Sequence, residues 1–291
     1  MNAGARIAAF AATVAVVSGG AAVAGGAIDP KGQESEPAAA HGHEPAATHS
    51  GDSHAKETKM TGTATDDVRG LGVASDGQRL IVETPELRRG RDDRVAYRIV
   101  DARGETVRDF DVEHTKRMHL ILVRRDMTGF QHLHPEQQRD GSWTTTARLD
   151  DAGSYRLFAD YSTGGEARTL ASDLRVDGAA ELADLPAPAT TARTDSGYDV
   201  RLDGAGDDVR FTVTRGGQAV HVEPYLGADG HLVALREGDL AYLHVHPVEG
   251  EGHDDSIRFG AEFPTPGRYR LFLQFKHEGE VHTAAFTKEV G

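Results

Sequence analysis

The sequence predicts an all-β protein built from two tandem β-sandwich domains, and three observations support this fold class. From Val68 onward, short alternating or apolar runs are bounded by turn signals such as DARGE, RDG and DDAG, without a convincing helical period. Several short strands at even spacing are typical of a sandwich or barrel. The whole pattern then occurs a second time, after a Pro- and Ala-rich stretch at residues 183–194.

Residues 1–28 are predicted to be a signal peptide or a membrane anchor. Arg6 supplies a positive n-region, Ile7 to Val17 is an apolar h-region, and Ala22 to Ala24 is an acceptable cleavage site. The apolar stretch continues to Ile28, which is about the ~20 residues that a membrane span needs, so both alternatives stay open. In both cases Arg6 is expected to stay on the cytoplasmic side of the membrane. We therefore expect a secreted protein or one anchored to the outer face of the cell membrane.

Residues 29–67 are predicted to be a disordered tether, because they contain almost no large apolar residue. Four histidines, His41, His43, His49 and His54, lie there between acidic residues. A flexible His-rich tract can collect transition-metal ions loosely at neutral pH. The alternative is a polar linker in which histidine is merely one soluble residue.

The composition limits the possible partners. The formal net charge is −14, and such an acidic chain is expected to be repelled by nucleic acid. The absence of cysteine excludes disulfides and thiolate metal sites. Any metal must therefore be held by imidazole, carboxylate or thioether, and the chain has 15 histidines.

An internal repeat defines the domain organisation. The phrase GSYRLFADY matches GRYRLFLQF, and GGEARTLA matches EGEVHTAA, over most of the length of both halves. We therefore predict β-sandwich repeats at residues 68–182 and 195–291, joined by the linker 183–194. The strands assigned from sequence are the runs RLIVE, RVAYRIV, MHLILV, FQHLHP, SWTTTARL and SYRLFADY, followed by YDVRL, DVRFTV, GHLVAL, LAYLHVHP, IRFGAEF and RYRLFLQF.

Each repeat carries three histidines at the same intervals, the last two in the phrase His-x-His-Pro. If the first hairpin turns near Asp126, residues whose numbers sum to 251 lie opposite one another, so His119 faces His132 with His134 diagonally adjacent. A slip of one residue would move His119 to the other face. The same arithmetic applies to the second copy and pairs its first two histidines. The predicted metal ligands are His119, His132, His134, His231, His244 and His246.

Three converging imidazoles match a His₃ site for copper or zinc with one open position. The alternative is a buried, hydrogen-bonded polar cluster, since Ile121, Val123 and Phe130 share its face and belong to a core. Met118 points to the other face and is a weak candidate for a thioether ligand.

Enzymatic functions find little support. HLHPE resembles the start of a cupin metal motif, but Glu136 follows too soon and no later histidine fits the second cupin motif. No Gly-x-Ser-x-Gly elbow and no Gly-x-x-x-x-Gly-Lys phosphate loop is present in the sequence. A metalloenzyme would need Tyr242 or Glu136 beside the cluster.

The phrases MHLILVRRDMTGFQHLHPE and GSYRLFADY, after an apolar N-terminus and a His-rich tether, resemble a poorly characterised group of exported actinobacterial proteins with copper or heavy-metal associations. The resemblance implies cupredoxin-like or immunoglobulin-like sandwiches, a shared cluster in the first copy and a degenerate one in the second. The chain is also loosely similar to periplasmic Greek-key copper chaperones, which hold Cu(I) with His and Met. Met60, Met118 and Met127 are the only methionines after the initiator, so a His-only Cu(II) or Zn(II) site is more natural.

The sequence therefore predicts an exported, non-enzymatic protein that binds divalent copper or zinc, in metal homeostasis or delivery. The alternative is an extracytoplasmic structural or interaction module whose histidines are structural. Because neutral imidazole is the ligand, affinity is expected to fall as the pH drops through ~6.5.

Overall fold

The computed structural model describes residues 68–204, 206–243, 245–248 and 256–291. The predicted signal peptide or anchor and the predicted tether lie outside the described residues. Within the described part of the chain the regular structure is all β-strand. No helix found there is long and apolar enough to cross a membrane.

The first repeat forms two sheets. Outer sheet 1 has the order β1-β2-β4-β8-β7, and inner sheet 1 has the order β3-β10-β9-β5-β6. The strands are β1 (Ala74–Ser75), β2 (Gln78–Val82), β3 (Glu86–Leu87), β4 (Asp92–Val100), β5 (His119–Arg124), β6 (Gln131–Leu133), β7 (Glu136–Gln137), β8 (Trp143–Arg148), β9 (Gly153–Thr163) and β10 (Glu166–Val176).

The second repeat has the same plan. Outer sheet 2 has the order β11-β12-β13-β18-β17, with β14 added to β13, and inner sheet 2 has the order β16-β15-β19-β20. The strands are β11 (Thr191–Arg193), β12 (Tyr198–Asp203), β13 (Asp208–Arg215), β14 (Gln218–Ala219), β15 (His231–Arg236), β16 (Tyr242–Leu243), β17 (Val245–Pro247), β18 (Ser256–Ala261), β19 (Gly267–His277) and β20 (Glu280–Val290). The predicted fold class, two tandem all-β sandwiches, is confirmed.

Each sandwich encloses its own apolar core. Side chains alternate along β5, so Leu120 and Leu122 point into the first sandwich and Ile121 and Val123 point away from it. All six residues of β5 are nevertheless buried. Strand β5 therefore lies between two apolar layers, which is the pattern of a strand covered on both faces.

The second layer is an inter-repeat core in which the two inner sheets pack against each other. Phe130 of the first repeat stacks on Phe272 of the second, with ring centroids 4.2 Å apart. The residues at the equivalent positions, Tyr242 and Phe158, form the reciprocal contact at 5.5 Å. The packing of the two repeats thus has an approximate two-fold symmetry. It also covers the face of inner sheet 1 that carries the histidines.

The predicted register of the first hairpin is wrong by two residues. Strand β5 pairs Ile121 with His132, so opposite residues sum to 253 rather than 251. The turn is centred later than expected, and two of its residues, Met127 and Gly129, adopt left-handed backbone conformations with φ of 64° and 61°. A shift of two residues preserves the face of every side chain, so His119 and His132 still project to the same side.

In the second hairpin the described pairs also differ from the predicted register, and His244 itself lies outside the described residues. The register pairs Leu235 with Tyr242, again two residues from the expected one. The strand then leaves inner sheet 2, and His246 pairs with Gly260 in outer sheet 2. The described ladder of the hairpin therefore ends at Leu243, and His246 belongs to outer sheet 2 instead.

Candidate metal centre

The three histidines of the first repeat come together at one end of the β5–β6 hairpin. His119 begins β5 and is 4% exposed, His132 lies in β6, and His134 follows directly after β6. One ring nitrogen from each lies within 4.8 Å of the others. We call these three residues the histidine triad.

The spacing of the triad rings suits a shared ion. An ion bound at ~2.0–2.1 Å to a ring nitrogen lies about 3 Å from the ring centroid, so two rings on a tetrahedral ion have centroids about 5 Å apart. The centroid of His119 is 5.2 Å from that of His132 and 5.2 Å from that of His134, and the last two are 4.7 Å apart. The three separations are therefore close to the value for rings that share one ion.

Hydrogen bonds on the far side of two rings favour one tautomer for each ring. His119 Nε2–H donates to the backbone carbonyl oxygen of Glu113 at 3.2 Å, and His132 Nδ1–H donates to Oε1 of Gln274 at 2.7 Å. Both oxygens only accept, so the other nitrogen of each neutral ring carries a lone pair. Those nitrogens, His119 Nδ1 and His132 Nε2, face each other at 3.0 Å. Two lone pairs in contact need a proton or a cation between them.

Burial makes a bridging proton unfavourable. It lowers the pKa of His132 to about 3 and that of His134 to about 4, with positive charge on the neighbouring groups acting in the same direction. The pKa of His119 is also lowered, chiefly by burial. The rings are thus neutral at physiological pH, which is the form that binds metal ions.

Two further imidazole nitrogens in this region are buried without a hydrogen-bond partner: His134 Nε2 and His231 Nδ1. An unpaired buried polar group costs about 1–3 kcal/mol, so each requires an explanation. Both are unpaired imidazole nitrogens, the atom type that binds transition-metal ions.

A narrow pocket with a cavity volume of about 30 Å³ opens beside the cluster. Glu113, His114, Asp160 and Tyr242 line it together with His119. A cavity of this size holds a water molecule or a small ion but no organic substrate. Two carboxylates at its wall are placed to offset part of the charge of a bound cation.

A family described as a domain of unknown function, DUF8832, matches residues 73–178 and again residues 192–291. The chain belongs to this family. Its two DUF8832 domains coincide with the two sandwiches described above, and the predicted internal duplication is thereby shown. The actinobacterial and copper associations of the predicted resemblance stay predictions.

No curated protein matches the chain. Among solved structures, it is similar to Salmonella α-2-macroglobulin reacted with methylamine (14% identity, TM-score 0.28, 76% of this chain and 15% of that one). It is also similar to the Escherichia coli adhesin FdeC (13% identity, TM-score 0.27, 75% and 65%) and to domains 5–6 of the S-layer protein SbsC (13% identity, TM-score 0.21, 72% and 95%). The chain spans about 15% of the length of the α-2-macroglobulin, and likenesses this low carry no argument about function.

Among the residues that the structure describes, no second histidine triad forms in the second DUF8832 domain. His231 lies against the first domain, with its ring centroid 4.4 Å from that of His132. His244 lies outside the described residues, and only the backbone of His246 is described. His277 and His282 are elsewhere, held by hydrogen bonds of 2.8 Å to the hydroxyls of Tyr198 and Ser196 respectively.

Sequence reasoning missed Gln274 and Asp160, which occupy equivalent positions in the repeated phrases of the two DUF8832 domains. Gln274 pairs with His231 across inner sheet 2, and Asp160 pairs with His119 across inner sheet 1. The repeat alignment contained this signal, since both residues are polar at the same position of the repeated phrase, between apolar neighbours. Of the two enzymatic candidates, Tyr242 lines the pocket and donates to Asp160 at 3.4 Å, whereas Glu136 is exposed on β7. Met118 is buried in the first sandwich core, on the side away from the triad.

Proposed function

We propose that this protein is exported, is not an enzyme, and binds a divalent transition-metal ion, copper or zinc, at the histidine triad. The observation that carries the proposal is the 3.0 Å approach of His119 Nδ1 to His132 Nε2. Each ring donates its only proton to an oxygen on the opposite side. Metal-ligating histidines typically donate their second ring nitrogen in this way, which fixes the tautomer and orients the lone pair toward the ion.

A purely structural polar cluster explains these contacts less well. Such a cluster is stable when each buried donor meets an acceptor. Here a lone pair faces a lone pair, and Nε2 of His134 has no partner. A cation satisfies all three nitrogens at once. The all-nitrogen donor set favours Cu(II) or Zn(II) over Cu(I), for which thioether and thiolate ligands are preferred.

The export and the role in metal homeostasis or delivery rest on the N-terminal sequence. The predicted signal peptide or anchor and the His-rich tether suit a protein that meets metal ions outside the cytoplasm. The pocket of about 30 Å³ supports a binding role over catalysis on an organic substrate. Because burial lowers the histidine pKa values, binding is expected to persist below the ~6.5 inferred from the reference pKa.

Calorimetric titration with Zn(II) and Cu(II) tests the proposal. The tether is silenced by replacing His41, His43, His49 and His54 with serine in the full chain, which we call the Ser-tether protein. We expect saturable binding that His132→Ala weakens at least 100-fold. His221→Ala, which removes an exposed histidine of the second repeat, is the matched control and should bind like its parent. Absence of saturable binding, or equal binding by the His132→Ala variant, would favour the structural or interaction module.

A further inference from the structure

His231 approaches the triad from the other repeat. It occupies the position in the second copy that His119 occupies in the first, and the two rings stack with centroids 5.6 Å apart and planes 11° apart. Two equivalent residues can touch only close to the axis that relates the copies. The triad therefore lies near the approximate two-fold axis of the inter-repeat packing.

Other contacts locate the same axis. The reciprocal aromatic pairs of the inter-repeat core flank it. The equivalent turns at residues 113–116 and 225–228 also meet, because a Cβ on Gly227 would lie 3.7 Å from Cγ2 of Thr115. The boundary between the repeats thus passes directly beside the histidines.

The second repeat already contributes to the geometry of the triad. Gln274 in β19 accepts the proton of His132 Nδ1 at 2.7 Å, and so orients a first-repeat ring from the second repeat. His231 adds a buried Nδ1 without a hydrogen-bond partner, on a ring 4.4 Å from that of His132. That separation is close to the ~5 Å expected for two rings on one ion.

We propose that His231 is the fourth ligand of the ion, so that a single metal ion at the boundary joins the two repeats. This inference rests on the proposed function, since it names a further ligand of the same site. It predicts one ion per chain rather than one per repeat. It also predicts that metal binding strengthens the packing of the inner sheets against each other, because ligands on both sides hold the same ion.

The ligand role is tested in the Ser-tether protein with His231→Ala, and His277→Ala of the same repeat is the control. We expect a stoichiometry of one Zn(II) per chain, and a 10- to 100-fold or greater loss of affinity for His231→Ala only. Substitution by Co(II) gives a second readout, because replacing an imidazole by water changes the visible d–d spectrum. Two ions per chain, or an unchanged affinity and spectrum in His231→Ala, would overturn the inference while leaving the triad site intact. Absence of binding by the parent would instead overturn the proposed function.

The joining role is tested by inserting a protease site after Ala180, in an exposed part of the chain between the repeats. After cleavage, the apparent dissociation constant of the two halves is measured with Zn(II) and with EDTA. We expect Zn(II) to tighten their association at least tenfold in the parent and to have no effect in the His231→Ala variant. An equal Zn(II) effect in both proteins, or none in the parent, would contradict a metal ion held by both repeats.

Discussion

Gln274 provides the sharpest test of how the two repeats build the site. Its Oε1 accepts the Nδ1 proton of His132, and its side chain is 7% exposed. Gln274→Leu keeps a similar volume but removes the acceptor. His132 then loses the contact that fixes its tautomer, and its lone pair is no longer held toward His119.

The expected loss is appreciable. Removing the hydrogen-bond partner of a metal-ligating histidine lowers metal affinity about 10- to 100-fold, which corresponds to about 1.4–2.8 kcal/mol. The metal-free protein is also destabilised, because an unpaired buried N–H costs about 1–3 kcal/mol. Competition against a chromophoric chelator measures the first effect, and thermal unfolding in EDTA measures the second.

Gln274→Glu should have the opposite effect on binding. A carboxylate accepts the same proton more strongly and places a negative charge near the cation, so affinity should equal or exceed that of the parent. Gln131→Leu is the matched control, since that amide donates to the carbonyl of Arg148 on the other side of β6. Binding by Gln274→Leu as tight as by the parent, or weaker binding by Gln274→Glu than by Gln274→Leu, would refute the orienting role.

Three further predictions concern stability. Phe272→Ala removes a ring that is 3% exposed and stacked on Phe130, so we expect a loss of about 3–5 kcal/mol in denaturant unfolding, and an unchanged midpoint would contradict the inter-repeat core. The folded-state pKa values of His132 and His134, about 3 and about 4, lie below the ~6.5 of the unfolded chain. As the pH drops, the unfolded state therefore takes up protons first. The stability of the metal-free protein should fall between pH ~6.5 and pH ~4. The urea midpoint at pH 7.5 and pH 5 checks this, and His132→Asn should reduce the difference. Thr115→Gly should raise stability by about 1 kcal/mol in the same assay, because a β-branched residue at φ 67° is strained, and a lower midpoint would show that its side-chain contacts matter more.

The architecture of each sandwich could be predicted because alternation and repetition are local properties of the sequence. The long strands β10 and β20 were not among the assigned runs, since their alternating pattern is interrupted by charged residues. The core shared by the two repeats could not be predicted from the sequence either. Ile121, Val123 and Phe130 were correctly expected to share the triad face and to belong to a core, but nothing in their spacing says that a second sandwich covers them.

The triad could be predicted even though the predicted hairpin register was not the observed one. The hairpin register was wrong by two residues, yet an even shift leaves His119 and His132 on the same face. The argument from an even shift does not extend to the second copy. There Leu243 belongs to inner sheet 2 and Val245 to outer sheet 2. The alternation of apolar and polar residues does not indicate this change of sheet, which depends on the pairing of β17 with β18. His231, expected in a separate second cluster, lies beside the triad because the two inner sheets pack against each other.

Duplication explains how one chain can place an asymmetric site at a symmetric boundary. Asp160 and Gln274 are equivalent residues, and exact symmetry would give both the same partner. Gln274 accepts from His132, whereas Asp160 accepts from Thr169 at 2.7 Å and from Tyr242. Two identical subunits could not divide these tasks, but two covalently joined repeats can diverge at each position independently. Neither repeat then contains the whole site, since the triad comes from one and its orienting amide from the other. We therefore expect an isolated first repeat to bind metal more weakly than the full chain, even though it holds all three triad histidines.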